Sequence, residues 1–73
     1  MKHLMKLMVI ENHKDISEVT FYYDAVLVEV KWIDEAGWYC YVIHCEDGST
    51  ATFTCGESAV FQWSDINKRY KVI

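Results

Sequence analysis

Three cysteines and one histidine near the middle of the chain have side chains that can bind zinc or act in nucleophilic catalysis: Cys40, His44, Cys45 and Cys55. Tetrahedral zinc sites use such ligands. On a strand, however, Cys40 and His44 lie about 13 Å apart at roughly 3.3 Å per residue, and Cys45 points to the opposite face. The same alternation separates His44 from Cys45, which argues against a histidine-activated thiolate. We therefore predict no metal site and reduced cysteines that pack as small apolar side chains.

Carboxylates occur as two adjacent pairs, Asp34-Glu35 and Glu46-Asp47. Both pairs fall where the apolar runs break, next to glycines, and such positions favour turns. The chain has no glycine-rich phosphate loop, and a domain of 73 residues rarely encloses a ligand pocket of about 300 Å³ or more. The sequence therefore predicts a binding protein that is not an enzyme and uses no cofactor.

The elements that would position these residues are short strands. Val26 to Trp32 alternates in polarity as a half-buried antiparallel strand does, and Trp38 to Cys45 is apolar on both faces. Shorter runs follow at 50–54, 59–63 and 70–73, and the three glycines lie in the first three breaks between the runs from residue 26 onward. We predict a single all-β domain, residues 1–73, built as a small five-stranded antiparallel barrel with a short helical turn near 64–66.

The alternation also predicts which side chains face the interior. Val26, Val28, Val30 and Trp32 share one face of their strand, and the valines are expected to point inward. In the third run Thr50, Thr52 and Thr54 form a polar face opposite Ala51 and Phe53. In the fourth run we expect Ala59, Phe61 and Trp63 to face inward, with Trp63 sealing one end of the barrel.

Residues 1–24 are expected to form an extension, a strand or hairpin that packs on the barrel formed by residues 25–73. Lys2 to Ile10 fits a strand or a helix, and the terminal Val-Ile before a polar turn at 12–15 favours a strand. Ile16 to Tyr23 is rich in β-branched and aromatic residues and is interpreted as a second strand. We expect residues 3–10 to cover the second apolar face of the strand 38–45; the alternative cover is another copy of the chain, in a homodimer.

A series of short motifs runs along the central part of the chain: KW, DEAG, WYCYVI, EDG, TATF and WSDI. In this order they resemble the Tudor branch of the SH3-like barrels over about residues 25–66. The resemblance implies recognition of methylated lysine or arginine in an aromatic cage, with Trp32, Tyr39 and Phe53 at the matching positions. After the third strand this chain has Cys55-Gly56-Glu57, which is one residue shorter than the family pattern and lacks its fourth aromatic residue, while Glu57 supplies an acid.

Aromatic faces attract a poorly hydrated cation by about 0.5 to 2 kcal/mol per ring when the cation is desolvated. The alternative is that the three aromatic residues are core residues at the rim of the barrel, which is the commoner use in so small a domain. The predicted partner-binding residues are Trp32, Asp34, Glu35, Tyr39, Phe53 and Glu57.

The net charge of −4 is unevenly distributed. Residues 16–66 carry nine acidic residues and one base, Lys31, so this part has a charge of −8, while residues 67–73 carry three bases and no acid. Such a body repels a phosphate backbone and attracts cations, so we expect a basic protein or peptide as partner and no direct nucleic-acid binding through the barrel. The alternative is that the acids only keep the domain soluble.

Two functions fit these features. The first is a small acidic module that recognises a basic protein segment. The second is a stand-alone inhibitor of the kind encoded by phages and mobile elements, an acidic mimic that occludes a nucleic-acid-binding protein. Residues 1–10 lack the long apolar region of a secretion signal, and no apolar run approaches the roughly 20 residues of a membrane span. We therefore expect a cytoplasmic location without membrane contact.

Overall fold

The computed structural model describes residues 3–14 and 16–73. They form one antiparallel sheet of six strands in the spatial order β4-β3-β2-β1-β5-β6. The strands are β1 (Met5–His13), β2 (Ile16–Ile33), β3 (Trp38–Cys45), β4 (Thr50–Thr54), β5 (Ser58–Ser64) and β6 (Arg69–Val72). The all-β class and the strand assignment of the N-terminal segment are thus confirmed. Met1, Lys2 and Asp15, which belong to the predicted extension and its turn, lie outside the described residues.

The long strand β2 organises the sheet. Its first half pairs with β1 and its second half with β3, so the strands predicted at 16–23 and 26–32 are one strand of 18 residues. The pairing shifts on both sides of Ala25, where β2 has one extra residue against β1 and one extra residue against β3. Such bulges bend a strand instead of ending it, which explains why the predicted break at 24–25 does not occur.

The strand β1 lies within the sheet, between β2 and β5. The expectation that residues 3–10 cover the second apolar face of β3 is therefore wrong, because residues 5–13 are hydrogen-bonded in the plane of the sheet. Leu7 and Val9 on β1 are fully buried and pack with Ala25, Ile43 and Val60 in the core. The N-terminal segment thus contributes a central strand to the core.

The facing of β5 is the reverse of the prediction. Val60 is fully buried in the core, whereas Phe61 and Trp63 alternate with it and lie on the opposite face of the sheet. Trp63 therefore does not seal the core; its ring packs against Tyr70 at 5.1 Å and its Nε1 donates to Asp65 Oδ1 at 3.0 Å. The alternation puts Phe61 and Trp63 on the more apolar face of β5, yet the pairing with β1 places the other face, with Val60, in the core.

The side chains of β2 and β4 face the core and the solvent more nearly as the sequence predicted. Val28 packs against the core and Val26 is half-buried, while Val30 is largely exposed. On β4 the partly buried Phe53 packs against the core, and Thr50 and Thr52 are exposed.

The helical turn predicted near 64–66 is not formed. Ser64 ends β5, and residues 65–68 make a hydrogen-bonded turn into β6. The Lys68 amide donates to the Ser64 carbonyl at 2.8 Å, and the Asn67 amide donates to Ser64 Oγ at 3.2 Å. Lys68 has a positive φ of 54°, which redirects the chain instead of continuing a helix. Ser64 therefore stabilises a reverse turn and not a helix N-terminus.

Candidate functional site

Trp32 and Tyr39 face each other across β2 and β3, at the ends of these strands that meet in the turn 34–37. The turn fixes this register: the Gly37 amide donates to the Ile33 carbonyl at 2.8 Å, and Gly37 adopts a positive φ of 77° that few other residues tolerate. The two ring centroids are 5.0 Å apart and the ring planes meet at 66°. We call this pair of rings the aromatic corner.

The aromatic corner is accessible to solvent and held in position. Trp32 is 48% exposed and Tyr39 is 54% exposed, so neither ring serves as a core residue. Trp32 Nε1 donates to Asp34 Oδ1 at 2.6 Å, which orients the indole and brings a carboxylate to its edge. Both large aromatic side chains are thus half-exposed in a domain whose described part buries few residues.

Phe53, the third predicted cage residue, has a different environment. It pairs with Tyr41 across β3 and β4, packs against the core, and meets Tyr22 edge-on with ring centroids 6.1 Å apart. The ring contacts of Phe53 are therefore with Tyr22 on the inner side of the sheet. The structure therefore brings together two of the three predicted cage residues, Trp32 and Tyr39, whereas the third, Phe53, packs against the core.

The predicted acids are all exposed. Asp34 and Glu35 occupy the turn that joins the two strands of the aromatic corner. Glu57 lies in the turn 55–57, which is attached on one side to the corner and on the other to β1: the Cys55 amide donates to the Tyr39 carbonyl at 3.0 Å, and the Asn12 amide donates to the Glu57 carbonyl at 3.1 Å. This turn thus connects the aromatic corner to the end of the β1-β2 hairpin.

Three residues at that hairpin end were not singled out from the sequence. Donor atoms of Glu11, His13 and Glu18 lie within 4.8 Å of one another, so these side chains are the described residues that could together hold a metal ion. Glu11 and Glu18 are direct partners across β1 and β2, and His13 Nε2 is 3.5 Å from Glu11 Oε1. Only the strand register reveals the cluster, since Glu11 and Glu18 are separated by the turn.

The cysteines and His44 are arranged as the alternation predicted. Cys45 belongs to the core cluster, whereas His44 contacts Glu29 on the other face of the sheet. Burial raises the pKa of the Cys45 thiol, and burial together with the neighbouring Cys40 raises the pKa of the Cys55 thiol. Both thiols are therefore protonated at neutral pH, and in this form they are poor nucleophiles.

The surface that sequence reasoning missed is the side of the sheet opposite the core, over the first half of β2 and over β1, β5 and β6. The strand pairings align its side chains in cross-strand rows such as Phe21, Met8, Phe61 and Val72. We call this surface the outer face; it consists of Met8, Ile10, Val19, Phe21, Tyr23, Ala59, Phe61, Trp63, Tyr70 and Val72. Two signals were present in the sequence: the second set of apolar residues on β1, Met8 and Ile10, and the apolar face of β5, which was assigned to the interior.

An open depression of about 380 Å³ lies between β5 and the end of β6. It is lined by Gln62, Trp63, Ser64, Lys71, Val72 and Ile73. Because it is wide open to solvent and mixes apolar with polar side chains, it does not have the enclosed form of a small-molecule site.

Comparison with protein-family models, curated proteins and solved structures finds no significant match for this chain. Among the described residues no helix has the length and apolar character needed to cross a membrane.

Proposed function

We propose that this protein is a non-enzymatic binding module that recognises a basic segment of another protein. A lysine or arginine side chain of the partner lies against the aromatic corner, and the acids of the adjoining turns attract it. The observation that supports this proposal is the pair of half-exposed rings at 5.0 Å, with the Trp32 indole fixed by Asp34.

The two rings meet edge-on at 66° and form a corner in which a cation can lie against an aromatic face. Such a contact contributes about 0.5 to 2 kcal/mol when the cation is desolvated. Because the Phe53 ring packs against Tyr22, the corner consists of two rings, and it takes the side chain of lysine or arginine, methylated or not. Arginine benefits further, since its planar guanidinium stacks on indole.

An SH3-like barrel is part of this proposal. It is supported by the shape of β2, whose two halves pair with different neighbours on either side of the bulges at Ala25. It is also supported by the short turn 55–57, which links β4 to β5 and is hydrogen-bonded to both β3 and β1. In such a barrel the aromatic corner occupies the position at which the Tudor branch binds its ligands.

A second candidate uses the same surface. The exposed acids Asp34, Glu35 and Glu57, with Glu11 and Glu18 at the adjoining hairpin end, would suit an acidic mimic that blocks the cationic channel of a nucleic-acid-binding protein. The two candidates differ in what is recognised. A mimic needs the spacing of the carboxylates and gains little from the rings, whereas a peptide-binding module needs the rings.

The experiment is a titration of the protein with short glycine-serine peptides that carry several lysines or arginines, unmodified and dimethylated, with binding followed by isothermal titration calorimetry. Trp32→Ala is compared with Trp38→Ala, which is a matched control: Trp38 is also about half-exposed and is adjacent to Tyr39, but its side chain lies on the other face of β3. We expect Trp32→Ala to weaken binding about tenfold, which corresponds to about 1.4 kcal/mol, and Trp38→Ala to leave it unchanged.

Equal losses from the two variants, or no binding of any cationic peptide, would contradict the proposal. Loss of binding in Asp34→Lys and Glu35→Lys variants with no loss in Trp32→Ala would favour the acidic mimic.

A further inference from the structure

We propose that the outer face is the interface of a homodimer, in which a second copy of the chain packs its own outer face against the first. The two four-stranded surfaces would form a sandwich of two sheets about 10 Å apart. This inference is independent of the proposed function, because the aromatic corner lies at the far end of β2, outside the outer face.

The size of the outer face supports a dimer. Val19, Phe21, Tyr23 and Val72 are 46 to 69% exposed, and the other members are half-buried. At about 150 to 250 Å² for an aromatic side chain, the accessible area of the face is roughly 600 to 700 Å². That is larger than the apolar patches usual on monomers and close to the roughly 800 Å² per partner of a standard interface.

The small number of buried core residues favours a second copy of the chain as the partner on the outer face. In the described chain the fully buried large side chains are Leu7, Val9, Ile43 and Val60, and the cysteines are free. Domains below about 80 residues commonly need disulfides, metals or oligomerisation in addition to a single core. A partner required for stability must be present whenever the chain is folded, and another copy of the same chain meets this requirement.

The chemistry of the face is also self-complementary. All ten of its members are uncharged, so two copies related by a two-fold axis bring no like charges together at the centre. Lys6, which precedes Met8 on the same side of β1, is exposed, and the register of β1 puts it level with Tyr23 and Trp63 at one end of the face, away from the central row. By contrast, an acidic or basic partner would find no complementary charge on this surface.

The test is sedimentation equilibrium of the full chain over a wide concentration range, with far-UV circular dichroism as the check on folding. We expect a species of twice the 8.6 kDa chain mass. Replacing Tyr23 and Val72 together by lysine places charges in the interface and should weaken dimerisation by about 100-fold or more. Both side chains are largely exposed within one copy, 63% and 69%, so these substitutions spare the core.

Ile66→Lys is the matched control, because Ile66 is 94% exposed in the turn 65–68, outside the outer face. The Ile66→Lys variant should remain dimeric. Trp32→Ala should also remain dimeric, which separates this inference from the proposed function. A wild-type chain that is monomeric at all concentrations overturns the inference. A dimer that remains intact in the Tyr23→Lys/Val72→Lys variant also overturns the inference. If the double variant does not fold, the wild-type mass and the rise of Tm with protein concentration decide alone.

Discussion

Leu7 tests whether the N-terminal strand is part of the core. Its side chain is fully buried on β1 and packs in the cluster that includes Val9 and Val60. Leu7→Ala removes three carbon atoms, worth about 2.4 kcal/mol in lost transfer free energy, and leaves a cavity that β1 cannot close because it is paired on both sides. We expect a loss of about 3 to 4 kcal/mol.

That loss is large for this chain, since a domain of its length is stabilised by roughly 4 to 11 kcal/mol. The assay is urea unfolding followed by tryptophan fluorescence at one protein concentration. The same substitution at Leu27, which is 49% exposed on β2, is the control and should cost less than about 1 kcal/mol. If Leu7→Ala costs no more than Leu27→Ala, the assignment of β1 to the core is refuted.

Two further predictions concern charge. Asp34→Lys combined with Glu35→Lys should slow association with a cationic peptide at low salt and flatten its salt dependence, because exposed charges act through long-range attraction; stopped-flow kinetics that match those of the wild type would contradict this. Hydrogen bonds from the Ser49 hydroxyl and amide, at 2.6 and 2.9 Å, lower the pKa of Asp47 below its usual 3.8. The unfolded state then binds the proton more tightly, so this stabilisation is present above the usual pKa and disappears as pH falls through the lowered one. Asp47→Asn should therefore reduce the acid dependence of the free energy of unfolding; a slope equal to that of the wild type would contradict the assignment.

Much of the fold could be predicted from local patterns. The glycines at 37, 48 and 56 mark the turns, and the Val26 to Trp32 alternation identifies the strand that carries the aromatic corner. The orientation of β5 could not be predicted, because its alternation favours the face of Phe61 and Trp63, whereas the pairing with β1 places Val60 in the core. The bend at Ala25 is likewise fixed by two different neighbouring strands.

The candidate site could be predicted only in part for a similar reason. Trp32, Asp34 and Tyr39 are separated by one turn, so the hairpin register brings them together. Phe53 depends on long-range packing, and its contact with Tyr22 comes from a distant part of β2. The outer face required the complete sheet order, since its residues come from four strands.

The most direct test of the proposed binding site uses the indole N–H resonances of the three tryptophans in the wild-type protein. Trp32 Nε1 donates to Asp34 and Trp63 Nε1 donates to Asp65, so the resonances of these two indole protons report on two known hydrogen bonds. Trp38 lies on the face of β3 opposite the aromatic corner. During titration with an arginine-containing peptide we predict a saturable shift of the Trp32 resonance, while Trp38 and Trp63 stay in place. A saturable shift confined to Trp63 or Trp38, or none at all, would contradict binding at the aromatic corner.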